Sequence, residues 1–196
     1  MPKKVGEKYQ AIIDAAVKVF AQYGYHNCQV SRVAREAGVA DGTIYLYFEN
    51  KEDILISLFS EKMGQFIEDL QGELAVLPRA GDRLLSLIKG HLSHLESDPY
   101  LAEVTQIQLR QSNPAIRQAI SEPTNRYFRL IEEVVSLGQE QGVFAPEIDR
   151  KIARKGIFGS LDEAVTSWVM AGFKKPLGNE GDMIFRLFLH GLGLPK

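Results

Sequence analysis

The chain has 196 residues, of which 45% are hydrophobic, and it contains no apolar run long enough to span a membrane. Its first ten residues are polar and charged, which excludes a secretory signal with an apolar centre and predicts a cytoplasmic protein. A single cysteine, Cys28, excludes an intrachain disulfide and is expected to be structural. The net charge of −2 is unevenly divided, because residues 1–51 carry two more basic than acidic side chains and the remainder carries four more acidic than basic ones. Any anionic partner is therefore expected at the N-terminal end.

Apolar residues recur at helical spacing along nearly all of the chain, and no run alternates as a half-buried strand would. This pattern predicts an all-α protein. A first helix is expected over about residues 6–23, followed by Gly24 as its C-terminal glycine. A second, short helix over about residues 30–37 is expected to end at Gly38, with Gln29 as a poor N-cap.

A third helix is predicted to begin at Gly42, only three residues after the second helix ends. Ile44 and Phe48 are four residues apart and therefore share the inward face. The residues predicted to point outward are Thr43, Leu46 and Tyr47, with Tyr45 at the boundary. Two short helices joined by a tight glycine turn, the second presenting hydroxyl and apolar groups, are typical of a helix-turn-helix whose second helix enters the DNA major groove.

Asn50 is predicted to cap a long fourth helix, with Lys51 in its first turn and Asp53 near the position of a capping-box acid. Asn113 followed by Pro114 is a strong signal for a later helix start. The remaining helices are predicted over about 82–96, 99–111, 123–142, 150–171 and 182–193, with Asp149 as the N-cap of the helix that begins at Arg150. Pro123 either kinks the helix that contains it or starts a fresh one, and the fresh start is favoured.

The last two predicted helices are apolar around most of their circumference, so they need burial on more than one side. A second subunit is the favoured cover, which predicts a C₂ homodimer with a four-helix interface. The alternative is that both are core helices of a single domain.

The run VSRVAREAGVADGTIYLYFENKEDIL, residues 30–55, resembles the TetR family of bacterial transcriptional repressors. The matching residues are Val30, Val33, Ala34, Ala37, Gly38, Val39, Gly42, Thr43, Tyr45, Tyr47, Phe48, Lys51, Glu52 and Leu55. The resemblance implies about nine helices, with a three-helix DNA-binding helix-turn-helix domain over residues 1–50 and an effector-binding and dimerisation domain over residues 51–196. It also implies a homodimer on a near-palindromic double-stranded DNA operator. Gln29 and Ala40 replace the family's usual Thr and Ser, so Asp41 is expected either to cap the third helix instead or to accept a hydrogen bond from a cytosine amino group.

Within this resemblance, the residues expected to contact DNA bases or phosphates come from the second and third helices and the start of the fourth. Lys51 opposes the helix macrodipole unless its ammonium and the helix-end amides share a phosphate. Tyr45 and Tyr47 have the alternative of being partly buried core aromatics. Lys3 and Lys4 form either an arm toward the minor groove or a solvated tail. The predicted DNA contacts are Gln29, Ser31, Arg32, Gly42, Thr43, Tyr45, Tyr47 and Lys51.

A narrower resemblance, to the repressors of fatty-acid degradation in bacilli, extends through LRQSNPAIRQ and IFGSLDEAVTSWVM and implies release from DNA by long-chain acyl-CoA. Such an effector needs cations for its phosphates at the mouth of an apolar tunnel. The arginines near residues 110–129 have that chemistry, although each is also compatible with a solvated face. Gly156 indicates close approach of either a partner helix or a ligand chain. The predicted effector contacts are Arg110, Asn113, Arg117, Arg126, Phe128, Gly156, Phe158 and Trp168.

Other functions have weaker signals in the sequence. The same architecture is compatible with release by a drug-like molecule and control of an efflux pump. No phosphate-binding glycine loop, nucleophile elbow or triad order is present, so we expect no enzymatic activity and no cofactor. His91 and His94 are three residues apart, but no further ligand follows at helical register, so we expect no metal site.

Overall fold

The computed structural model of the chain describes residues 6–108, 110 and 114–193. Within these ranges the chain forms ten α-helices and one π-helical segment, which confirms the all-α prediction. The α-helices are α1 (Glu7–Tyr23), α2 (Val30–Glu36), α3 (Asp41–Ile44), α4 (Lys51–Ala75), α5 (Ala80–Ser97), α6 (Pro99–Glu103), α7 (Pro114–Ala119), α8 (Ser121–Glu140), α9 (Arg150–Met170) and α10 (Gly178–Gly191). The π-helical segment, Val104–Gln108, lies between α6 and α7. In the described part of the chain, no helix is both long and apolar enough to cross a membrane.

The helices form two compact units that are each discontinuous in sequence. The first unit combines the chain up to Gly64 with Tyr100–Ser121. The second combines Gln65–Pro99 with the chain from Glu122 onward. The long helix α4 therefore contributes to both units. The division into functional domains at residue 50 stays a prediction.

The first unit is built around α1, whose apolar stripe is fully buried. Ile12, Ile13 and Phe20 have no exposed surface, and α1 packs against α2 and against the π-helical segment. Helix α1 ends where predicted, because Gly24 has a φ of 75° that favours glycine. Asn50 accepts a hydrogen bond from the backbone N–H of Asp53 at 2.9 Å, which confirms it as the cap of α4.

In the second unit, α10 packs against α5 and α9. The Asp149 carboxylate accepts hydrogen bonds from the backbone N–H groups of Lys151 and Ile152, both at 2.9 Å, which confirms the predicted cap of α9. Three predicted helix starts were wrong by two or more residues: α5 begins at Ala80 rather than Asp82, α8 at Ser121 rather than Pro123, and α10 at Gly178 rather than Asp182.

Gly138 in α8 is required by the packing of a neighbouring ring. A Cβ atom at this position would overlap ring carbons of Phe144, which is itself buried. We expect Gly138→Ala to lower the free energy of unfolding by about 1–3 kcal/mol, because the ring must shift in a close-packed core. Gly72→Ala is the matched control, since nothing lies near a Cβ there and alanine favours a helix by about 1 kcal/mol. Chemical denaturation of the two variants checks the prediction, and equal stabilities would contradict it.

Candidate DNA interface and effector region

The helix pair α2–α3 presents the N-terminal end of α2 to solvent while its other face joins the core. Val33, Ala34 and Ile44 are completely buried, and Gly38 turns the chain between the two helices with a φ of 66°. Gln29 occupies the N-cap position of α2, but its side chain makes no capping hydrogen bond. Gln29 was predicted from the sequence to be a poor cap, and its exposed side-chain amide does not cap the backbone N–H groups of α2.

Arg32 lies on the exposed side of α2, next to the half-buried Ser31. The centre of its guanidinium lies 4.4 Å from the centroid of the Tyr23 ring at the end of α1. This cation–π contact orients the long side chain without using its N–H donors. Those donors suit a phosphate, and the DNA contact of Arg32 stays a prediction.

Leu46, after α3, is exposed as predicted, whereas Tyr45 and Tyr47 differ in exposure from the prediction. Tyr45 and Leu46 are exposed by 59% and 67%, and Thr43 is half-buried. Tyr47 is half-buried as well, with its ring centroid 6.3 Å from that of Tyr9 and 6.5 Å from that of Phe48. The assignment of Tyr47 to the outward face and Tyr45 to the boundary was therefore wrong. Helix α3 ends at Ile44 and residues 45–47 form a turn, so the helical period no longer sets their directions.

The two tyrosines are expected to respond differently to substitution. Tyr45→Ala removes an exposed side chain, so we expect weaker DNA binding with a change in unfolding free energy within about 0.5 kcal/mol. Tyr47→Ala also removes ring contacts with Tyr9 and Phe48, which predicts an additional loss of about 1 kcal/mol of stability. Denaturation curves and fluorescence anisotropy on labelled DNA separate the two effects. A larger stability loss for Tyr45→Ala than for Tyr47→Ala would contradict this assignment.

Lys51, the first residue of α4, binds backbone of the turn between α1 and α2. Its Nζ donates to the carbonyl oxygens of Tyr25 at 2.9 Å, Cys28 at 3.0 Å and His26 at 3.1 Å. It also lies 4.8 Å from the centroid of the Tyr25 ring. An ammonium has three N–H donors, so these carbonyls occupy all of them. The phosphate contact predicted from the sequence requires the ammonium to exchange a carbonyl for the phosphate, and these three hydrogen bonds favour the alternative that Lys51 only positions the turn.

Two other predicted contacts complete this region. Gly42 lies in α3 and is exposed, and nothing in the described residues lies within 4 Å of where its Cβ would be. Asp41 is the first residue of α3 rather than its cap, and no side chain caps this helix. The predicted capping role of Asp41 was therefore wrong. The DNA contacts predicted at the other positions remain predictions.

The predicted effector residues divide between the two compact units. Arg110, which donates from Nη2 to Gln106 Oε1 at 2.7 Å, and the exposed Arg117 belong to the first unit. Arg126, Phe128, Gly156, Phe158 and Trp168 belong to the second. Asn113 lies outside the described residues.

The α8 arginines make weak ion pairs at the surface of the second unit. Arg126 Nη2 lies 4.0 Å from Glu68 Oε1, and Arg129 Nη2 lies 4.0 Å from Glu122 Oε1. Pairs of this length between partly exposed side chains contribute little to stability. A phosphate can replace either carboxylate at small cost, because at 4.0 Å neither carboxylate is hydrogen-bonded, whereas a phosphate can accept charge-assisted hydrogen bonds from the guanidinium.

Inside the second unit, five rings form a cluster that we call the aromatic cluster. Its members are Phe66, His91, Tyr127, Phe128 and Phe158. Tyr127 is at its centre, with ring centroids of Phe66, His91 and Phe158 at 5.6, 5.5 and 6.2 Å. Phe128 contacts Phe158 edge to face at 4.9 Å. The structure thus brings together two of the predicted effector residues, Phe128 and Phe158, with a buried histidine and tyrosine that sequence reasoning did not include.

The aromatic cluster contains one polar pair. His91 Nδ1 lies 2.9 Å from the Tyr127 hydroxyl oxygen, and both side chains are buried. Burial, with a smaller contribution from nearby His94, lowers the pKa of His91 to about 4, so its imidazole is neutral near pH 7. Burial also raises the pKa of Tyr127. The His91 Nε2 atom has no hydrogen-bond partner among the described residues.

Gly156 and Trp168, the remaining predicted effector residues, have neighbours of their own. A Cβ at Gly156 would lie 3.2 Å from Phe188 Cε1, so the close approach expected at this glycine is made by α10 of the same chain. Trp168 is buried and packs edge to face on Phe173, with ring centroids 4.8 Å apart. Effector contact at both positions stays a prediction.

Helices α9 and α10 expose apolar side chains in the second unit. Met183 and Leu187, four residues apart on α10, are exposed by 65% and 63%. Ile152 and Met170 on α9 are similarly exposed. We call these four residues the α9–α10 apolar face. Their exposure fits the sequence-based expectation that these two helices need a further cover.

For metals, no suitable group of three His, Cys, Asp or Glu side chains occurs in the portion of the chain that the structure describes.

Comparison with known proteins relates this architecture to bacterial regulators. Residues 12–58 match the family described as "Bacterial regulatory proteins, tetR family", and residues 59–191 match "YsiA-like protein, C-terminal region". The chain is 47% identical to the fatty acid metabolism regulator protein of Bacillus subtilis over 190 residues, which cover 97% of this chain and 98% of the relative.

Solved structures show the same similarity in three dimensions. The fatty acid degradation regulator FadR from Bacillus halodurans superposes with a TM-score of 0.93 at 48% identity, covering 97% of this chain and 98% of that one. The transcriptional regulator FadR from Bacillus subtilis, solved in complex with stearoyl-CoA, gives a TM-score of 0.90 at 48% identity, covering 93% and 98%.

Proposed function

The chain belongs to the TetR family of bacterial regulatory proteins, and we propose that it is a transcriptional repressor released from DNA by long-chain acyl-CoA. As a homodimer in the cytoplasm, it binds a near-palindromic double-stranded operator and controls genes of fatty-acid degradation. It acts as a regulator and not as an enzyme. The single observation that carries the proposal is its 48% identity, along almost the whole chain, to a regulator solved with stearoyl-CoA bound.

The exposed end of the α2–α3 pair supports the DNA-binding part of this proposal. Gln29, Arg32 and Tyr45 are exposed, while Thr43 and Ser31 are half-buried beside them in sequence. Amide and hydroxyl groups read base edges or bind phosphates, and the Arg32 guanidinium binds a phosphate. In a dimer, two copies of this surface read the two halves of the operator.

The second unit supports the effector part. Its aromatic cluster supplies apolar surface for a hydrocarbon chain, and Arg126 and Arg129 supply guanidinium groups for phosphates. Acyl-CoA weakens DNA binding only to the extent that it prefers the conformation that does not bind DNA. To move the protein from almost fully bound to almost fully free, this preference must approach about 10⁴-fold.

An operator-release titration tests the proposal. The purified chain selects its operator from random DNA, and fluorescence anisotropy then follows the complex as stearoyl-CoA is added. We expect release by stearoyl-CoA at low micromolar or lower concentration, with no release by free CoA, which lacks the acyl chain. Operator binding that stearoyl-CoA leaves unchanged would contradict the acyl-CoA effector and favour a drug-like one, whereas failure to select any DNA would contradict the repressor itself.

A further inference from the structure

The buried His91–Tyr127 pair leaves a hydrogen-bonding group unused among the rings of the aromatic cluster. His91 Nε2 has no partner in the described part of the chain, and the rings of Phe66 and Tyr127 lie against the imidazole at centroid distances of 6.1 and 5.5 Å. Buried polar groups are nearly always hydrogen-bonded, because leaving one unpaired away from water is costly. The Nε2 atom therefore indicates a partner outside the described residues.

The hydrogen bond between the two residues determines what kind of partner this is. If the Tyr127 hydroxyl donates to Nδ1, the Nε2 atom carries the proton and one N–H is left unpaired. If Nδ1–H donates instead, both the hydroxyl hydrogen and the Nε2 lone pair are left unpaired. The first arrangement leaves fewer buried groups unsatisfied. It makes His91 Nε2 a hydrogen-bond donor, so the missing partner is an acceptor.

The position of the pair relates this donor to the predicted effector residues. Tyr127 lies 6.2 Å from Phe158 in ring centroids, and Phe158 packs on Phe128. Tyr127 also directly follows Arg126 in α8, whose guanidinium is partly exposed. The donor thus lies within the apolar cluster and beside the helix that carries cationic groups.

We propose that His91 Nε2 donates a hydrogen bond to the thioester carbonyl oxygen of a bound acyl-CoA. This inference rests on the proposed function and assigns the atom that recognises the acyl linkage. Beyond the thioester, the acyl chain is a hydrocarbon with no acceptor, so the carbonyl oxygen is the polar group that needs a donor when the chain lies among the rings of the aromatic cluster. A carbonyl held at His91 also fixes how far the hydrocarbon chain extends from that point, and thus gives the protein a reference point for measuring chain length.

The test compares two ligands that differ at this carbonyl. Stearoyl-CoA carries it, whereas S-octadecyl-CoA is a thioether with the same chain length and no carbonyl oxygen. Calorimetry below the micelle concentration measures both affinities. For the wild type, we expect stearoyl-CoA to bind about tenfold more tightly, because the thioether leaves the Nε2–H unpaired.

Variants of the pair show whether this preference comes from His91. The double variant His91→Phe with Tyr127→Phe replaces both polar partners by rings of similar shape, so it leaves no unpaired group behind. It is expected to bind the two ligands about equally. His91→Phe alone should also reduce the ratio of the two affinities, and this single variant replaces the double variant if the double variant does not fold. His94→Phe is the matched control. His94 lies on the same helix as His91 and stacks on the Phe66 ring at a centroid distance of 4.6 Å, so the His94→Phe protein should keep the wild-type ratio of affinities.

Each other outcome overturns the assignment in a distinguishable way. Equal affinities in the wild type, with operator release by stearoyl-CoA intact, would refute the His91 contact and leave the proposed function standing. A tenfold preference retained in both His91 variants would assign the carbonyl to another group. If the variants lose affinity equally for both ligands, the His91 hydrogen bond goes to a part of CoA that both ligands share. Binding of neither ligand by the wild type would overturn the proposed effector together with this inference.

Discussion

The double variant Met183→Asp with Leu187→Asp is expected to be monomeric and to bind the operator at least about 100-fold more weakly than the wild type. Both side chains are about two-thirds exposed on α10 and belong to the α9–α10 apolar face. Burying a carboxylate against a second copy of this face is strongly unfavourable, so the interface cannot form. Without the dimer interface, each subunit binds its half-site independently, and the gain in affinity of about 10²–10⁴ from linked binding is lost.

Sedimentation equilibrium and operator titration on the same samples check this prediction. Val76→Asp is the matched control, because Val76 is 78% exposed and follows α4, away from both helices in sequence. It introduces one carboxylate of the same kind outside the α9–α10 apolar face, and it should leave both the dimer and operator binding unchanged. A Met183→Asp, Leu187→Asp protein that remains dimeric would show that the two subunits meet elsewhere.

Lys51→Met is expected to lower the free energy of unfolding by about 1–3 kcal/mol and to leave the salt dependence of operator binding unchanged. The ammonium binds the carbonyl oxygens of Tyr25, His26 and Cys28, and it thereby holds the α1–α2 turn against the start of α4. Hydrogen bonds to a charged group contribute about that much in total to stability when their partners are partly buried. Methionine keeps much of the length of the side chain but removes the three donors.

The slope of log Kobs against log salt concentration separates this positioning role from a phosphate contact. Each phosphate contact adds about one to the slope, so a Lys51→Met protein whose slope falls by about one would show that Lys51 binds DNA. Arg32→Gln is the comparison variant. Its guanidinium is exposed and held on the Tyr23 ring, so its removal should lower the slope by about one and cost at most about 1 kcal/mol of stability.

Helix boundaries set by neighbouring residues could be predicted from the sequence. Gly24 and Gly38 adopt positive φ angles of 75° and 66° where glycine was expected to end a helix. Asn50 and Asp149 cap the helices that follow them. In each case the signal and its effect lie within a few residues of each other, so no knowledge of the tertiary structure is needed.

Features that depend on distant partners could not be predicted in this way. The backbone N–H of Leu177 donates to Glu96 Oε1 at 2.9 Å, a contact between residues 81 positions apart, and α10 begins directly after Leu177. The acceptors of Lys51 lie more than 20 residues before it. The start of α8 at Ser121 shows a different limit of prediction from the sequence. Because the first N–H groups of a helix have no intrahelical partner, Pro123 fits at the third position of α8 and does not mark its start.

The candidate sites show the same distinction. The residue types of the α2–α3 pair were clear from their sequence, but the directions of Tyr45 and Tyr47 depend on where α3 ends. His91 and Tyr127 are 36 residues apart, so their hydrogen bond has no local signature. In the sequence, the three-residue spacing of His91 and His94 pointed only to a metal site, which was not expected to form. A buried histidine whose partner is a tyrosine on another helix becomes visible once α5 and α8 are placed together.

The composition of the first compact unit bears on the exchange of sensors between regulators. Residues 100–121 belong to the same unit as the N-terminal helices, the π-helical segment packs on α1, and Gln22 Nε2 donates to the Tyr100 hydroxyl at 3.3 Å. A fusion that grafts only the N-terminal end of this chain onto a foreign sensor would strip α1 of part of its apolar cover. A working hybrid must therefore transplant residues 100–121 as well, or choose a recipient whose own chain returns to cover α1 in the same manner.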